Sequence, residues 1–373
     1  MNVLPAAGTI SFARGVPSPD MFPSTRLIEA GRRAIEIHGR IALNYGPPGG
    51  FGPLREWIAE RHAVAPEQVV VTPGSLLGLR FLVEHLMRDG GRAIVEVPTY
   101  DRMLHLLRTV GASVETVPRG EVGLDLDALR ARLTSGSAPR LLYAMPTFHN
   151  PSGRTMGAGE RAALADLVAE HEVPVIEDDP YGLLRLEGEW PIHLHRLLLD
   201  RGAAEQAVLM SSFSKSIAPG LRVGYLVLPP SMAGAVEALA TATYVSPPLL
   251  AQAQVFEFLS AGHLEPHLED ARAFLRPRRD ALLEVLDAEL DGRATWTRPD
   301  GGYFLWLDLH EDVDASALAE RARGEAGVEV VPGRGFFAGD GGAHSLRLAF
   351  SFPAVDAIVV GARRLAALIR TSP

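Results

Sequence analysis

A chain of 373 residues, 47% hydrophobic and 22% charged, has room for two packed domains or for one large α/β domain with a smaller one appended. A formal net charge of −9 excludes a nucleic-acid binder that relies on a broad basic surface, and the lack of cysteine excludes disulfides, thiolate nucleophiles and thiolate metal sites. The opening MNVLPAAGTISFARG has no basic segment followed by a long apolar core, and no run reaches membrane-spanning length, so a soluble, cytoplasmic protein is expected.

In chain order, residues 1–12 read as an arm. Short apolar runs then alternate with helical patterns. QVVVTPG (68–74), AIVEVP (93–98), RLLYAMP (140–146), VPVIEDD (173–179), AVLMSSFS (207–214) and RVGYLVLP (222–229) predict strands that end in loops. SLLGLRFLVEHLMRD (75–89), AGERAALADLVAEH (158–171) and the segment around 231–243 predict helices between them. Strands apolar on both faces, alternating with helices, predict a mainly parallel sheet covered on both sides, and such sheets bind ligands at the carboxyl ends of their strands. Beyond the Pro247-Pro248 break the pattern changes. Residues 250–290 read as a long helical region, and GYFLWLDL (302–309) and SLRLAFS (345–351) as strands with a helix between them, a smaller α/β unit.

The polar clusters fall at the predicted strand ends. In TPGSLLG (72–78) the backbone N–H groups of Gly74, Ser75 and Leu76 can cradle a phosphate at a helix N-terminus, although most such turns bind nothing. No GKS or GKT follows, so this is not a nucleotide P-loop. Tyr100, after VEVPT, can stack on a flat cofactor or pack in the core. Asn150 in MPTFHNPSG can donate to an oxygen or form an Asx turn. In VIEDDPYG, Asp178 can hold a ring nitrogen protonated beside the Tyr181 hydroxyl, or simply cap a helix. Lys215 in SSFSKSIAPGLR is either a solvated turn lysine or an amine held for attack on a carbonyl, with Ser212 and Arg222 placed to hold phosphate oxygens. Together these groups fit a phosphorylated aromatic aldehyde bound to Lys215 as a Schiff base.

FARGVPSPDMFP, NYGPPGGFGPLREWIA, EVPTY, HNPSG, IEDDPYG, SFSKSIAPGLRVGY, PDGGYFLWLDL, GVEVVPG and SLRLAFS together cover almost the whole chain. In that order they resemble the fold-type I, class I/II aminotransferases dependent on pyridoxal 5'-phosphate. Within that group the resemblance is to the branch of 2-aminoadipate aminotransferases and regulator aminotransferase domains. It implies an aspartate-aminotransferase-like fold: an arm at 1–12, the first part of a small domain at 13–42, a large cofactor-binding domain at 43–248 and a C-terminal small domain at 249–373. It further implies that Lys215 carries the internal aldimine and moves the substrate proton, Asp178 pairs with the pyridine nitrogen, Asn150 and Tyr181 bond the phenolic oxygen, and Tyr100 stacks on the ring. Ser75, Leu76, Ser212 and Arg222 would bind phosphate, joined by Tyr45 of a neighbouring subunit, which implies a homodimer with shared sites. Arg347 would clamp the substrate α-carboxylate, with the backbone of Gly15 beside it. The expected activity is transfer of an amino group from an L-amino acid to a 2-oxo acid, with no metal, nucleic acid or membrane involved.

The chain also departs from this pattern. GSLL replaces the frequent GSQQ of the phosphate loop, and His149 stands where glutamine is common. His149 is an acid–base group, a cofactor neighbour or a hydrogen-bonded structural residue. Arg14 replaces a smaller residue and either recognises a second carboxylate or faces water. The substrate wall is therefore open to other outcomes of the same chemistry, namely cyclisation, elimination or substitution. A ligand-binding relative without activity fits less well, because Lys215, Asp178 and Arg347 are all retained and the motifs start near residue 9, with no space for a DNA-binding domain ahead of them.

Overall fold

The computed structural model describes residues 8–120 and 123–372, so most of the expected arm lies outside the described residues. A seven-stranded sheet carries the larger half. Across it the strands run Val69–Thr72, Gly224–Val227, Ala207–Ser212, Val175–Asp178, Leu141–Ala144, Arg92–Val97 and Ser113–Pro118. All neighbours are parallel except Gly224–Val227, which is antiparallel to both of its partners. Every residue of Val69–Thr72, Leu141–Ala144, Val175–Asp178 and Gly224–Val227 is buried, which is why these strands read as unbroken apolar runs.

The sheet separates two cores. Ala93, Val95, Leu141, Tyr143, Ile176 and Val208 join the larger one. Ile94, Leu142, Val175 and Ala207, the residues between them, join the other, under the helices Leu126–Thr134, Ala158–His171 and Leu194–Asp200. This is the two-residue period of a strand. It puts Asp178 on the side of Ile176 and Tyr143, and Glu177 on the side of Val175.

The smaller unit is built on an antiparallel sheet in the order Val331–Pro332, Ser345–Ala349, Phe304–Leu309 and Ala294–Trp296. Helices Leu264–Leu290 and Val355–Arg370 pack against each other there. The region expected as one helical stretch is two helices, Leu249–Ser260 and Leu264–Leu290, interrupted at Gly262 with φ +71°. The helix expected over 75–89 stops at Leu86. Ser113–Pro118 was not expected: it is an edge strand of mixed polarity, without the apolar run that marks a central strand. Ile10–Ser11 pairs in parallel with Val328–Glu329, and Phe12 continues by accepting from the Ala349 N–H at 2.7 Å. The N-terminal segment is thereby fixed to the smaller unit just before it reaches the strand ends of the larger sheet. No helix among the described residues is long and apolar enough to cross a membrane.

Candidate active site

Lys215 lies in a four-residue helix, Phe213–Ser216, at the end of Ala207–Ser212. Ser212 starts that helix as its cap, its Oγ accepting from the Ser214 N–H at 3.1 Å. The Tyr303 hydroxyl donates to the Lys215 carbonyl at 2.7 Å, and Lys215 Nζ donates to the Gly15 carbonyl at 2.8 Å. Burial, reinforced by the Arg347 and Arg222 guanidinium groups and opposed by Asp178, lowers the amine to a pKa of about 8. Lys215 is not a solvated turn lysine.

Asp178 ends the neighbouring strand. Its Oδ2 accepts from the Tyr143 hydroxyl at 2.5 Å, while Oδ1 is buried with no hydrogen-bond partner among the described residues. Burial lifts this carboxyl to a pKa of about 7; the Tyr143 bond and Lys215 pull it down, and the Asp179 and Glu96 carboxylates push it up. An orphaned oxygen on a buried acid is costly unless something arrives to bond it. The ring N–H of a protonated pyridine is such a group.

Gly74 caps the helix Ser75–Leu86 with φ +90°, and Arg222 stands over the same turn in a left-handed conformation, φ +53°. A Cβ on Gly74 would lie 2.0 Å from Arg222 Nη2 and would push the guanidinium aside, and the φ of +90° itself favours glycine. Arg222 makes long contacts among the described residues, to the Pro73 carbonyl at 3.3 Å, Ser214 Oγ at 3.4 Å and the Pro219 carbonyl at 3.5 Å. Helix N–H groups of Ser75 and Leu76 beside an arginine with weak partners suit a phosphate dianion. The donor set therefore fits pyridoxal phosphate at both ends: an acceptor for the ring nitrogen and an anion cradle.

Arg347, on the antiparallel strand Ser345–Ala349, reaches from the smaller unit into the same crevice. It donates to Asn150 Oδ1 at 3.0 Å and to the Ala13 carbonyl at 2.9 Å, lies 4.4 Å over the Phe304 ring, and keeps a buried Nε without a partner among the described residues. Tyr181 is buried, edge-on to Tyr303 and Phe304, with Lys215 Nζ 6.0 Å from its ring centre. Tyr100 caps the helix Asp101–Thr109 half-buried; burial and then Asp178 raise its hydroxyl pKa, which keeps it protonated. Gly15 packs against Phe304, which would be 2.5 Å from a Cβ there. Arg14 lies 4.8 Å over the Phe352 ring, and its Nη1 is buried with no partner among the described residues.

Two expected residues sit differently from the rest. Tyr45 is 82% exposed, and among the described residues no hydrogen bond or ring contact joins it to the groups above. His149 is fully buried behind Asn150, with Nδ1 2.7 Å from Ser152 Oγ and Nε2 3.4 Å from Glu96. Its burial, reinforced by Arg119, drives the imidazole pKa well below the usual value, so it is neutral and structural. Sequence reasoning missed Tyr143 and Tyr303, which hold Asp178 and Lys215. Tyr143 lies inside an apolar strand and Tyr303 immediately before one, and in either place a buried tyrosine hydroxyl still needs a partner.

A mainly parallel sheet whose strand ends carry an amine of lowered pKa, an acid with one free oxygen and a turn suited to an anion, faced by an arginine from the smaller unit, suits an enzyme that works through a phosphorylated aromatic aldehyde. The chain belongs to the aminotransferase class I and II family, which matches residues 8–357. It is 36% identical over 359 residues to a 2-aminoadipate transaminase of Thermus thermophilus, covering 96% of this chain and 89% of that protein. It is 30% identical to aromatic-amino-acid aminotransferase 1 of Thermococcus litoralis, covering 99% and 90%. Among solved structures, an α-aminoadipate aminotransferase of Thermus thermophilus with N-(5'-phosphopyridoxyl)-L-leucine superimposes with a TM-score of 0.92 at 35% identity, covering 98% of this chain and 92% of that one. The kynurenine aminotransferase of Pyrococcus horikoshii gives 0.92 at 32% identity, covering 98% and 91%. The expected fold and activity are borne out: the chain is a fold-type I, pyridoxal-phosphate-dependent aminotransferase that pairs amino acids with 2-oxo acids.

Proposed function

We propose that Lys215 carries the cofactor and works as the proton carrier of this transamination, in a site completed by a second copy of the chain. The observation behind this reading is the half-buried Lys215, its amine 2.8 Å from the Gly15 carbonyl and brought to a pKa of about 8 by desolvation and by two arginines. An amine of that kind loses its proton near neutrality. When bound, pyridoxal phosphate supplies an aldehyde that takes up amino groups and a ring that draws electrons from the substrate Cα.

The remaining roles follow from donors and acceptors. Asp178 Oδ1 takes the ring N–H. Asn150 and Tyr181 donate to the phenolic oxygen, Tyr100 lies against the ring, and Gly74, Ser75, Leu76, Ser212 and Arg222 surround the phosphate. Arg347, supported by Asn150 and the Ala13 carbonyl, takes the substrate α-carboxylate beside Gly15. Arg14, whose Nη1 is buried and unpartnered among the described residues, takes a second carboxylate, which makes a dicarboxylic amino acid or 2-oxo acid the favoured partner. Tyr45 completes the phosphate site of the neighbouring subunit. Ile41, Leu43, Tyr45 and Val245 support a homodimer: all are exposed, and the Gly46 N–H bonded to Ser246 Oγ at 2.9 Å joins their two loops.

Titration of the purified protein with an amino-acid panel, followed in the visible spectrum, tests this. Acidic donors should convert the band of the lysine-bound cofactor and a 2-oxo acid should restore it. Persistence of that band in Lys215→Ala would refute the assignment of Lys215, and an Arg14→Ala enzyme with the same ranking of donors would refute that of Arg14.

A further inference from the structure

We infer that Tyr143 is a positioning residue for transamination: its hydroxyl holds one oxygen of Asp178 so that the other is presented to the cofactor ring nitrogen. This rests on the proposed pairing of Asp178 with that nitrogen. Tyr143 lies on Leu141–Ala144, the strand next to Val175–Asp178, opposite Ile176 in the pairing and on the same face of the sheet as Asp178. Both side chains are buried, and the hydroxyl is 2.5 Å from Oδ2.

The bond has a fixed direction. Burial, then the Asp178 charge, keeps the Tyr143 hydroxyl protonated far beyond its ordinary range. It therefore donates, and Oδ2 accepts. Any proton shared between the acid and a ligand is confined to Oδ1, the oxygen without a partner among the described residues. Other acceptors nearby are already engaged. The Glu96 carboxylate takes the Met145 N–H at 2.5 Å on one oxygen and the Arg119 guanidinium on the other, with His149 3.4 Å away. Without the hydroxyl, the Asp178 carboxyl could turn about its terminal torsion, which is soft. Either oxygen could then carry the proton, and the acid would be more basic.

A core tyrosine that merely used Asp178 as an acceptor would leave the cofactor's ring nitrogen unaffected when its hydroxyl is removed. Wild type and Tyr143→Phe would be loaded with pyridoxal phosphate carrying 15N in the ring. The band of the lysine-bound cofactor should persist in Tyr143→Phe. Cofactor affinity should fall roughly ten- to hundredfold, the range for a lost hydrogen bond to a charged group. The ring 15N resonance should move from the protonated toward the unprotonated position, and kcat should fall while KM changes little. Affinity and kcat within about twofold of wild type, with the 15N resonance unmoved, would overturn the inference. Asp178→Asn serves as the control for the underlying reading. If it leaves the 15N shift unchanged, the Asp178 pairing itself fails; if it moves the shift and Tyr143→Phe does not, only the Tyr143 role fails. Should Tyr143→Phe not fold, proton spectra of the unaltered holoenzyme decide. A hydroxyl proton far downfield that disappears in Asp178→Asn is expected, and its absence would overturn the inference.

Discussion

Glu177 and Asp178 are adjacent, buried carboxylates on one strand, and their surroundings have opposite effects on them. Glu177 faces the second core, where it accepts the N–H groups of Leu194 at 3.1 Å and His195 at 2.8 Å and lies 3.3 Å from His193 Nδ1 and 3.7 Å from Arg161. Burial alone would raise it, but His193 and then Arg161 and the backbone bonds overcome this and bring it to a pKa of about 2. Asp178 has one hydroxyl, one empty oxygen and a pKa of about 7. Equal burial thus gives a finished structural charge on one face and an unfinished one on the other. The unfinished one marks the site. The histidine cluster beside Glu177 borders a cavity of about 80 Å³ with His62, His193 and Tyr225 in its wall. No group of three or more His, Asp or Glu among the described residues is arranged to hold a metal ion.

The sharpest way to break this contrast is to remove the amine on the Asp178 face. Lys215→Ala should lose about 10⁴-fold or more in turnover with its melting temperature kept or raised, because a desolvated amine is gone. Retained turnover would mean the face was misread. On the other side, Glu177→Gln should cost about 3–5 kcal/mol in denaturant unfolding by leaving His193 and Arg161 uncompensated, while turnover per folded molecule stays near wild type. A large loss of specific activity with unchanged stability would erase the distinction.

A pH series sharpens the contrast further. In the cofactor-free protein the folded Asp178 pKa of about 7 lies above the ordinary 3.8, so between those values the folded state holds a proton the unfolded state has released. Its contribution to stability is present at low pH and lost as pH rises through that window. Relative to Asp178→Asn, wild-type stability should therefore decline from about pH 4 to about pH 7 and then level off. Urea titrations at several pH values would check this; an incline would contradict it. The smallest effect is expected at Arg347→Lys. It keeps the charge but loses the paired bonds, and should raise the KM for amino acids about tenfold with kcat less affected.

Most strands of the larger sheet, and the strand ends where the polar groups gather, were legible because buried parallel strands leave unbroken apolar runs that end in polar loops; their order across the sheet was not. The choice between the two acids was not legible from EDD itself. A two-residue period says that Glu177 and Asp178 face opposite ways, but it carries no sign for which way the site lies; only the resemblance supplied it. Tyr143 stayed hidden because its partner lies 35 residues away on another strand. Ser113–Pro118 stayed hidden because an edge strand needs no apolar run. His149, left open as an acid–base group or a structural one, is decided by burial and by Ser152, neither of which HNPSG displays.

Lys215 and Arg347, from different units of the fold, are both tethered to main-chain carbonyls of one short N-terminal stretch, Gly15 and Ala13. Main-chain oxygens survive every point substitution. Replacing Ala13 by serine would therefore leave the Arg347 tether in place, whereas a side chain at Gly15 would crowd Phe304. For the two carbonyl tethers themselves, length matters more than side-chain identity. A single-residue deletion between Phe12 and Val16 would shift both carbonyls at once, so variation in this stretch should take the form of exchanged residues and not of gaps.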